Sequence, residues 1–273
     1  MQTIQSTQDR TRDMDERSWW DLWNKSYRAE DNKDETSTEL FAHVVATIKH
    51  MAQGPPKRIL EVACGTGTLS RRLDFSSYHG LDISPGAVEI AGQKADLLQL
   101  PAGTNRPTYE ASDFHEWPSP AGAFDIVLCV DAISCFRDQQ LVLRKMAEIL
   151  PVGGLVVLTT VNPVVYNRIR RVGGVRLENG PVSHWLSKRE LHDLIEKTGL
   201  TLERSYTIMP RGNMGFLRVL NSGRLNQMLG TRGSAIFRWV KELAGLGQYR
   251  VVIARKGSPE LTKRFRSVMR DDA

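Results

Sequence analysis

Cysteine is scarce in this sequence: 273 residues contain only three, at positions 64, 129 and 135. Three is too few, and an odd number, for a disulfide framework, and no two of them form a Cys-x-x-Cys pair. Cys64 and Cys129 fall within apolar runs, where a small buried side chain is the ordinary role of cysteine. The sequence therefore predicts a cytoplasmic protein whose thiols stay reduced.

Long hydrophobic runs are also lacking. None approaches the roughly 20 apolar residues that a membrane-spanning helix needs. The polar start of the chain resembles neither a secretory signal nor a transit peptide, and we expect a frayed tail there. Hydrophobic residues make up 41% of the chain and charged residues 25%, which is typical of a globular protein and excludes collagen-like, coiled-coil and disordered classes.

The charge is distributed unevenly, although the net value is only +6. Residues 163–273 hold 21 Lys and Arg against 9 Asp and Glu, whereas residues 1–162 hold 16 against 22. A basic region raises the local concentration of negatively charged ligands, so this asymmetry indicates an acidic substrate or partner. A solvated surface is the alternative, because the basic residues are scattered and not grouped into tracts.

Predicted strands and helices alternate along most of the chain, which indicates an α/β fold with a parallel sheet covered on both faces. We predict strands at 58–63, 79–83, 108–112, 124–130, 155–161, 201–209 and 249–255. The predicted organisation is an N-terminal tail and helix over 1–35, a core over 36–256 and a C-terminal tail over 257–273. The core carries insertions at 163–185 and 211–247.

A glycine-rich turn, Gly65-Thr-Gly67, follows the first predicted strand, and we expect a helix from about Thr68. Glycine has no Cβ, so backbone at such a turn can approach a ligand closely. The turn is not a phosphate-binding P-loop, because no Gly-Lys-Ser/Thr follows it. As a dinucleotide fingerprint it is incomplete, since Ser70 stands where a third glycine is expected.

Acidic residues stand at or near the ends of the first three predicted strands: Glu61, Asp82 and Asp113. The carboxyl ends of parallel strands meet at one edge of a sheet, where ligands of such folds bind. A carboxylate beside the glycine turn repels a pyrophosphate and attracts an ammonium group, and Asp82 is placed to accept both hydroxyls of a ribose. These carboxylates suit a ligand with a ribose, an exocyclic amine and a positive charge, and S-adenosylmethionine has all three.

With these motifs the chain resembles the class I S-adenosylmethionine-dependent methyltransferases over about residues 40–256. The matching motifs are Leu60-Glu-Val-Ala-Cys-Gly-Thr-Gly67, Gly80-Leu-Asp-Ile-Ser84, Ser112-Asp-Phe114, Phe124-Asp-Ile-Val-Leu128 and Leu150-Pro-Val-Gly-Gly154. The resemblance implies a doubly wound, seven-stranded, mostly parallel Rossmann-like sheet with helical insertions, whose last strand runs antiparallel. It also implies S-adenosylmethionine as cofactor.

The resemblance further implies roles for individual residues. Glu61 lies near the methionine ammonium group, Asp82 holds the ribose hydroxyls and Asp113 bonds the adenine amino group. The other implied cofactor contacts are Ala63, Gly65 and Gly67 in the turn, Ile83 and Phe114 at the adenine, and Val130 after strand four. A helix carrying the aromatic stripe Trp19, Trp23 and Tyr27 is expected to cover the cofactor, with Tyr27 as its contact. An amphipathic helix packed on the core is the alternative.

The acceptor is expected to be an oxygen or nitrogen of a small, acidic molecule. The candidate catalytic residues are His184, in the first insertion, and Asp131, after strand four, with His115 and Tyr166 behind them. Arginines of the insertions are candidate ligands for a carboxylate, phosphate or sugar nucleotide: Arg168, Arg170, Arg171, Arg211, Arg218 and Arg224. No His, Cys and Asp cluster has metal-ligand spacing, so no metal is expected.

Other functions stay open at this point. The basic C-terminal region favours an RNA methyltransferase, although no nucleic-acid-binding module is present and nucleic acid is not the expected partner. A nicotinamide-dependent oxidoreductase is a rival on a similar sheet, against which Ser70 and Glu61 argue. A partner protein that has lost catalysis is a third, against which the intact cofactor motif argues. The basic, amphipathic stretch 234–246 is a candidate surface for a homodimer or for membrane contact.

Overall fold

A sheet of seven strands forms the centre of the protein in the computed structural model, which describes residues 15–27, 35–100, 104–118, 120–165, 184–208, 228 and 244–257. The strands are β1 (Lys57–Val62), β2 (Phe75–Asp82), β3 (Thr108–Ala111), β4 (Ile126–Val130), β5 (Leu155–Val161), β6 (Leu200–Ile208) and β7 (Tyr249–Lys256). Their order across the sheet is β3-β2-β1-β4-β5-β7-β6. Only β7 runs antiparallel to its neighbours β5 and β6, so the predicted fold class is confirmed.

The helices whose bounds lie in the described part of the chain are α1 (Glu16–Tyr27), α2 (Glu35–Met51), α3 (Pro85–Asp96), α4 (Gln139–Ile149) and α5 (Lys188–Lys197). A short 3₁₀ turn, Ile133–Cys135, follows β4. None of these helices is long and apolar enough to cross a membrane. The predicted strands and the helix opened by Ser187 are all present, with ends shifted by a few residues.

The two faces of the sheet bury separate hydrophobic cores. One core joins alternate residues of β1, β4, β5 and β7 to α4 and α5, and its members include Leu60, Val127, Leu158, Met146 and Leu191. The other joins the opposite residues of the same strands to α2, and its members include Ile59, Leu128, Val157, Val44 and Ile48. Strands covered on both faces are apolar along their whole length, which explains the unbroken apolar sequence of β4 and β5.

The prediction of a helix from Thr68 is wrong. The chain that connects β1 to β2 forms consecutive turns over residues 65–72. Gly65 and Gly67 both have left-handed φ angles, 54° and 71°. The Ser70 hydroxyl donates to the Gly67 carbonyl at 3.0 Å, and such local side-chain bonds compete with the helical ladder. The loop is therefore folded around its own polar groups.

The strand order reverses between β1 and β4, because β1 pairs with β2 on one side and with β4 on the other. In open α/β sheets, ligands bind in the crevice that this reversal leaves at the carboxyl ends of the strands. The loops after β1, β2, β3 and β4 all meet at this crevice, and the fold thereby places the candidate functional site.

Candidate cofactor and acceptor site

A cavity opens to solvent at the carboxyl ends of β1 to β4. Its empty space, including the mouth that is open to solvent, is about 770 Å³. Its walls come from the four strand ends, the turn after β4 and helix α1. The lining residues are Glu16, Trp20, Ala63, Gly65, Leu81, Asp82, Ile83, Ser112, Asp113, Phe114, His115, Val130, Asp131, Ala132, Cys135 and Phe136.

Asp82, the last residue of β2, organises the floor of the cavity. Asp82 is only 8% exposed. Its two carboxylate oxygens accept hydrogen bonds from the Gly65 N–H at 2.8 Å and the Ser84 N–H at 2.9 Å. One carboxylate thus fixes both the glycine turn and the start of α3. Asp82 also lines the cavity, and a carboxylate in such a place can accept hydrogen bonds from hydroxyl groups of a ligand.

Asp113, after β3, lies in a network that fixes the next wall. Its Oδ1 accepts from the His115 N–H at 2.8 Å and contacts His115 Nδ1 at 2.9 Å, and its Oδ2 accepts from Arg137 at 2.8 Å. His115 Nε2 accepts from the Asp138 N–H at 3.3 Å, so Nδ1 carries the proton and donates to Asp113. The loop after β3 is thereby tied to the start of α4.

Lys145 of α4 supports this loop from below. Lys145 is 8% exposed. Its Nζ donates to the carbonyl oxygens of His115, at 2.8 Å, and Trp117, at 2.5 Å. The same ammonium lies 5.3 Å from the centre of the Phe114 ring, close enough for a cation–π interaction. Burial lowers the pKa of Lys145. The loop that carries Asp113 and Phe114 is therefore held rigidly before any ligand binds.

Helix α1 closes one side of the cavity. Glu16 and Trp20, one turn apart, both line it, and Glu16 lies 3.6 Å from Arg137. Asp21 accepts from the Ser84 hydroxyl at 2.9 Å and from the Gly86 N–H at 2.6 Å. The free N–H groups and positive dipole at a helix N-terminus favour such a carboxylate, so Asp21 fastens α1 to the start of α3.

Two cavity residues have backbone in the left-handed region, which side chains other than glycine rarely adopt. They are Ala63, with φ 57°, and Asp131, with φ 55°, and they are the non-glycine residues with positive φ in the part of the chain that the structure describes. The Asp131 N–H donates to both the carbonyl and the hydroxyl of Thr159, at 3.0 and 2.9 Å. Such strain concentrates at functional sites, and here it turns the chain sharply at the ends of β1 and β4.

The cavity brings together nine of the residues singled out from the sequence: Ala63, Gly65, Asp82, Ile83, Asp113, Phe114, His115, Val130 and Asp131. Glu61, Gly67 and His184 do not line it. Glu61 is 3% exposed and accepts a hydrogen bond from the Tyr78 hydroxyl in the core. The His184 side chain is 58% exposed and lies 3.4 Å from Glu190, a member of the capping box that starts α5.

Several predictions fall on parts of the chain that the structure leaves undescribed. The backbone of Tyr27 belongs to α1, but its side chain, Tyr166 and the arginines of the two insertions lie outside the described residues, as does most of the stretch 234–246. In the aromatic helix, Trp20 and not Trp19 lines the cavity. The sequence signal for this contact was the i, i+4 spacing of Glu16 and Trp20, which puts both side chains on one face of the helix, beside the face that carries the aromatic stripe. Cys135 and Phe136 carried no pattern in the sequence.

The network around Asp113 predicts a pH dependence of stability. Burial alone raises the pKa of this carboxyl, but the hydrogen bonds from His115 and the charge of Arg137 outweigh it, so the pKa lies below the ordinary 3.8. A carboxyl with a lowered folded pKa stabilises the fold above its unfolded pKa, and that contribution disappears as the pH falls through the folded value. The ionised form of Asp113 therefore stabilises the folded state at neutral pH.

We expect the free energy of unfolding of Asp113→Asn to lie below that of the wild type by a constant amount above about pH 5. Below pH 3.8 the difference is expected to shrink. Chemical denaturation of both proteins across this range measures it. A difference that stays the same down to the acid limit would show that the Asp113 charge is not what stabilises the loop.

Comparison with known proteins identifies the family. The sequence profile of the methyltransferase domain matches residues 34–205. The phthiotriol/phenolphthiotriol dimycocerosates methyltransferase of Mycobacterium leprae (strain TN) is 26% identical over 192 residues, covering 68% of this chain and 65% of the relative. The malonyl-[acyl-carrier protein] O-methyltransferase of Halorhodospira halophila (strain DSM 244 / SL1) is 24% identical over 148 residues, covering 53% and 48%. The chain thus spans less than two thirds of the length of either curated relative.

Among solved structures, the magnesium protoporphyrin IX methyltransferase of Synechocystis PCC 6803 with bound S-adenosylhomocysteine has the same fold. The TM-score is 0.57 at 18% sequence identity, and the superposition covers 92% of this chain and 99% of that one. The matching profile covers more than half of the present chain, and the strand order is that of this fold. The chain therefore belongs to the class I S-adenosylmethionine-dependent methyltransferases.

Proposed function

We propose that the protein transfers a methyl group from S-adenosylmethionine to an oxygen or nitrogen of a small, acidic molecule. The observation that carries the choice of cofactor is the charge of the cavity, whereas the acidic acceptor is proposed from the basic region over 163–273. Four carboxylates line it, those of Glu16, Asp82, Asp113 and Asp131, and the described lining contains no lysine or arginine. Such a cavity attracts a cationic ligand and repels a pyrophosphate, which favours the sulfonium cofactor over a nicotinamide dinucleotide.

The acceptor groups and apolar side chains of the cavity suit the parts of this cofactor. We propose that Asp82 accepts from the ribose hydroxyls, since this carboxylate ends β2 and lines the cavity. Ile83 and the ring of Phe114, which is 3% exposed in the packed wall, suit the two sides of a flat adenine. Asp113 is placed in the same wall to accept from an exocyclic amine. Gly65 leaves room for the cofactor because it lacks a Cβ.

S-adenosylmethionine supplies, when bound, a methyl group already activated on a sulfonium. The remaining task for the chain is to align the acceptor and to remove its proton, and alignment alone contributes several kcal/mol. We propose that Asp131 accepts that proton, because its strained backbone sets it at the cavity wall beside Val130. His184 does not line the described cavity and lies beside Glu190, so its catalytic role stays a prediction.

Two further observations bear on the acceptor and the compartment. The Halorhodospira relative is named as an O-methyltransferase, which supports oxygen as one acceptor atom. Cys64, Cys129 and Cys135 are all free thiols, which supports the predicted cytoplasmic location. The predicted homodimer depends on residues outside the described part and stays a prediction.

Calorimetric titration with S-adenosylhomocysteine, followed by transfer of labelled methyl groups to a panel of small carboxylic acids, phenols and amines, tests this function. We expect S-adenosylhomocysteine to bind in the cavity and NAD to compete poorly with it for this site. Binding of NAD in preference to S-adenosylhomocysteine would overturn the proposal. RNA affinity that falls steeply with salt, together with methyl transfer to RNA, would replace the small-molecule acceptor by a nucleic acid.

Helix α1 is expected to contribute to cofactor binding through Asp21. Replacement of Asp21 by Ala removes the carboxylate that holds α1 to Ser84 and Gly86, so Trp20 loses its fixed place over the cavity. Because a hydrogen bond to a charged group is worth about 1.5–3 kcal/mol, we expect S-adenosylhomocysteine affinity to fall about tenfold. Titration calorimetry measures the affinity, and hydrogen exchange of α1 measures its attachment.

Arg17→Ala is the control for this experiment, because Arg17 is exposed on the same helix. We expect it to bind S-adenosylhomocysteine as the wild type does. If Asp21→Ala exchanges its α1 amides faster but keeps full affinity, then α1 does not take part in the cofactor site.

A further inference from the structure

Arg250 is a buried arginine at the carboxyl edge of the sheet. It is the second residue of β7 and is 7% exposed. In the sheet it lies opposite Thr160 of β5 and Thr207 of β6. Cross-strand partners share one face, and Val252, two residues on, belongs to the core beneath α4 and α5. The Arg250 side chain therefore lies on the face that these helices cover.

No hydrogen bond or ion pair compensates the Arg250 guanidinium among the residues that the structure describes, and its Nε is a buried atom without a partner. Desolvation lowers the pKa of Arg250, with no opposing charge acting on it. Three other arginines of the described part have carboxylate partners: Arg58 with Asp125 at 2.8 Å, Arg137 with Asp113 at 2.8 Å and Arg255 with Glu203 at 2.5 Å. An unpaired buried charge is costly to fold, so Arg250 calls for a counter-anion.

Three more buried polar atoms without partners lie near Arg250: Thr160 Oγ1, Ser205 Oγ and His192 Nε2. Thr160, 1% exposed, is the cross-strand partner of Arg250. Ser205 is two residues before Thr207 on β6 and thus on the same face. His192 belongs to α5, which covers that face, and the charge of Arg250 is one cause of its lowered pKa, after desolvation and Lys188. These four are the unpartnered buried side-chain atoms of the described residues.

The chemistry of the four groups selects the ligand. A guanidinium presents a planar fork that matches a carboxylate or phosphate, and hydroxyl and imidazole groups can donate beside it. The cluster holds one permanent positive charge. A carboxylate therefore leaves the buried site neutral, whereas a phosphate dianion leaves it with an excess negative charge that burial disfavours.

We propose that Arg250, Thr160, Ser205 and His192 form a subsite that binds a carboxylate group of the methyl acceptor. This inference rests on the proposed function and gives its acidic substrate a binding group. The subsite lies at the same edge of the sheet as the reaction site, since Thr160 follows Thr159 on β5 and Thr159 holds the backbone of Asp131. An acceptor anchored by its carboxylate at β7 thus presents its other end toward the turn after β4.

Thermal unfolding with acetate or benzoate, and with chloride or inorganic phosphate at the same ionic strength, tests the subsite. In the wild type we expect the carboxylates to raise Tm by about 3–5 °C at roughly ten times their dissociation constant, and chloride and phosphate to raise it less. Arg250→Met is expected to lose this shift. Without added anion its Tm is expected to equal or exceed that of the wild type, since the substitution removes an unpaired buried charge.

Thr160→Val and Arg255→Met complete the design. Thr160→Val removes an unpartnered hydroxyl and is expected to reduce the carboxylate shift without lowering Tm, which keeps the test valid if Arg250→Met fails to fold. Arg255→Met removes a paired arginine of the same strand and is expected to keep the full shift. Equal carboxylate shifts in the wild type, Arg250→Met and Thr160→Val would overturn the subsite, as would an equal shift from chloride.

Titration of the same proteins with S-adenosylhomocysteine separates this inference from the proposed function. We expect wild type and Arg250→Met to bind it with equal affinity, because Arg250 does not line the cofactor cavity. If the wild type binds S-adenosylhomocysteine but shows no carboxylate shift that depends on Arg250, the subsite alone is refuted. If the wild type does not bind S-adenosylhomocysteine, the proposed function fails whatever the carboxylates do.

Discussion

Replacement of Asp82 by Asn is expected to weaken S-adenosylhomocysteine binding by at least about 100-fold, because charge-assisted bonds to two ribose hydroxyls are worth about 1.5–3 kcal/mol each. The same change is expected to lower the free energy of unfolding by about 2–3 kcal/mol. The Asp82 oxygens accept from the Gly65 and Ser84 N–H groups. An asparagine has one oxygen, so its NH₂ group must face one of these two donors.

Asp74→Asn is the matched control for Asp82→Asn. It makes the same chemical change at a side chain that is 87% exposed and only loosely paired with Lys49, at 3.8 Å. Surface pairs of this kind contribute about 0–1 kcal/mol, so we expect near-normal stability and affinity. Titration calorimetry and chemical denaturation measure both quantities. Unchanged affinity in Asp82→Asn would remove Asp82 from the cofactor site and would leave it as a structural residue of the glycine turn.

The strand ends of the site were predictable from the sequence because parallel topology alone brings them together. Asp82, Asp113 and Asp131 follow three different strands, and once the strand order is known, their meeting at one edge follows. The strands β4 and β5 were predictable as well, because strands covered on both faces are apolar along their whole length and differ clearly from polar loops. Short-range sequence signals and a strong topological rule therefore carried this part of the prediction.

The supports of the site were not predictable, because they depend on contacts between distant segments. Lys145 reaches two carbonyls of the loop after β3 from 30 and 28 residues away, and in the sequence it is one more lysine of an amphipathic helix. Arg137 likewise meets Asp113 only through the packing of α4. Which tryptophan of α1 faces the cavity depends on the anchoring of Asp21 at the start of α3, not on the helical period.

Glu61 has a structural partner that the sequence did not indicate. Its side chain takes the face of β1 that Tyr78 occupies, and the Tyr78 hydroxyl donates to it; its role at the methionine ammonium group stays a prediction. A neighbouring aromatic hydroxyl provides the partner that a buried carboxylate needs. The sequence predicted where Glu61 lies along β1, but it did not predict which face of the sheet its side chain occupies.

Replacement of Gly67 by Ala is expected to be among the most damaging changes in the glycine turn. Gly67 has φ 71°, and a Cβ there lies 2.8 Å from the Tyr109 hydroxyl oxygen and 3.0 Å from the Ala91 Cβ. Left-handed backbone costs an alanine about 1–2 kcal/mol, and overpacking adds about 1–3 kcal/mol. We therefore expect a loss of roughly 3 kcal/mol in the free energy of unfolding, with weaker S-adenosylhomocysteine binding because the turn carries Gly65 into the cavity.

Gly122→Ala separates the two causes, because Gly122 has nearly the same φ, 68°, with no atom within 4 Å of the added Cβ. It is expected to lose only the backbone contribution of about 1–2 kcal/mol. Adding Tyr109→Phe to Gly67→Ala removes the nearest clashing atom and is expected to restore part of the stability, while Ser70 keeps its bond to the Gly67 carbonyl. Chemical denaturation of the wild type, Gly67→Ala, Tyr109→Phe and the double variant gives the coupling energy. Equal losses in Gly67→Ala and Gly122→Ala would mean that the close approach of α3 and β3 to the turn does not constrain Gly67, and that its conformation alone requires glycine.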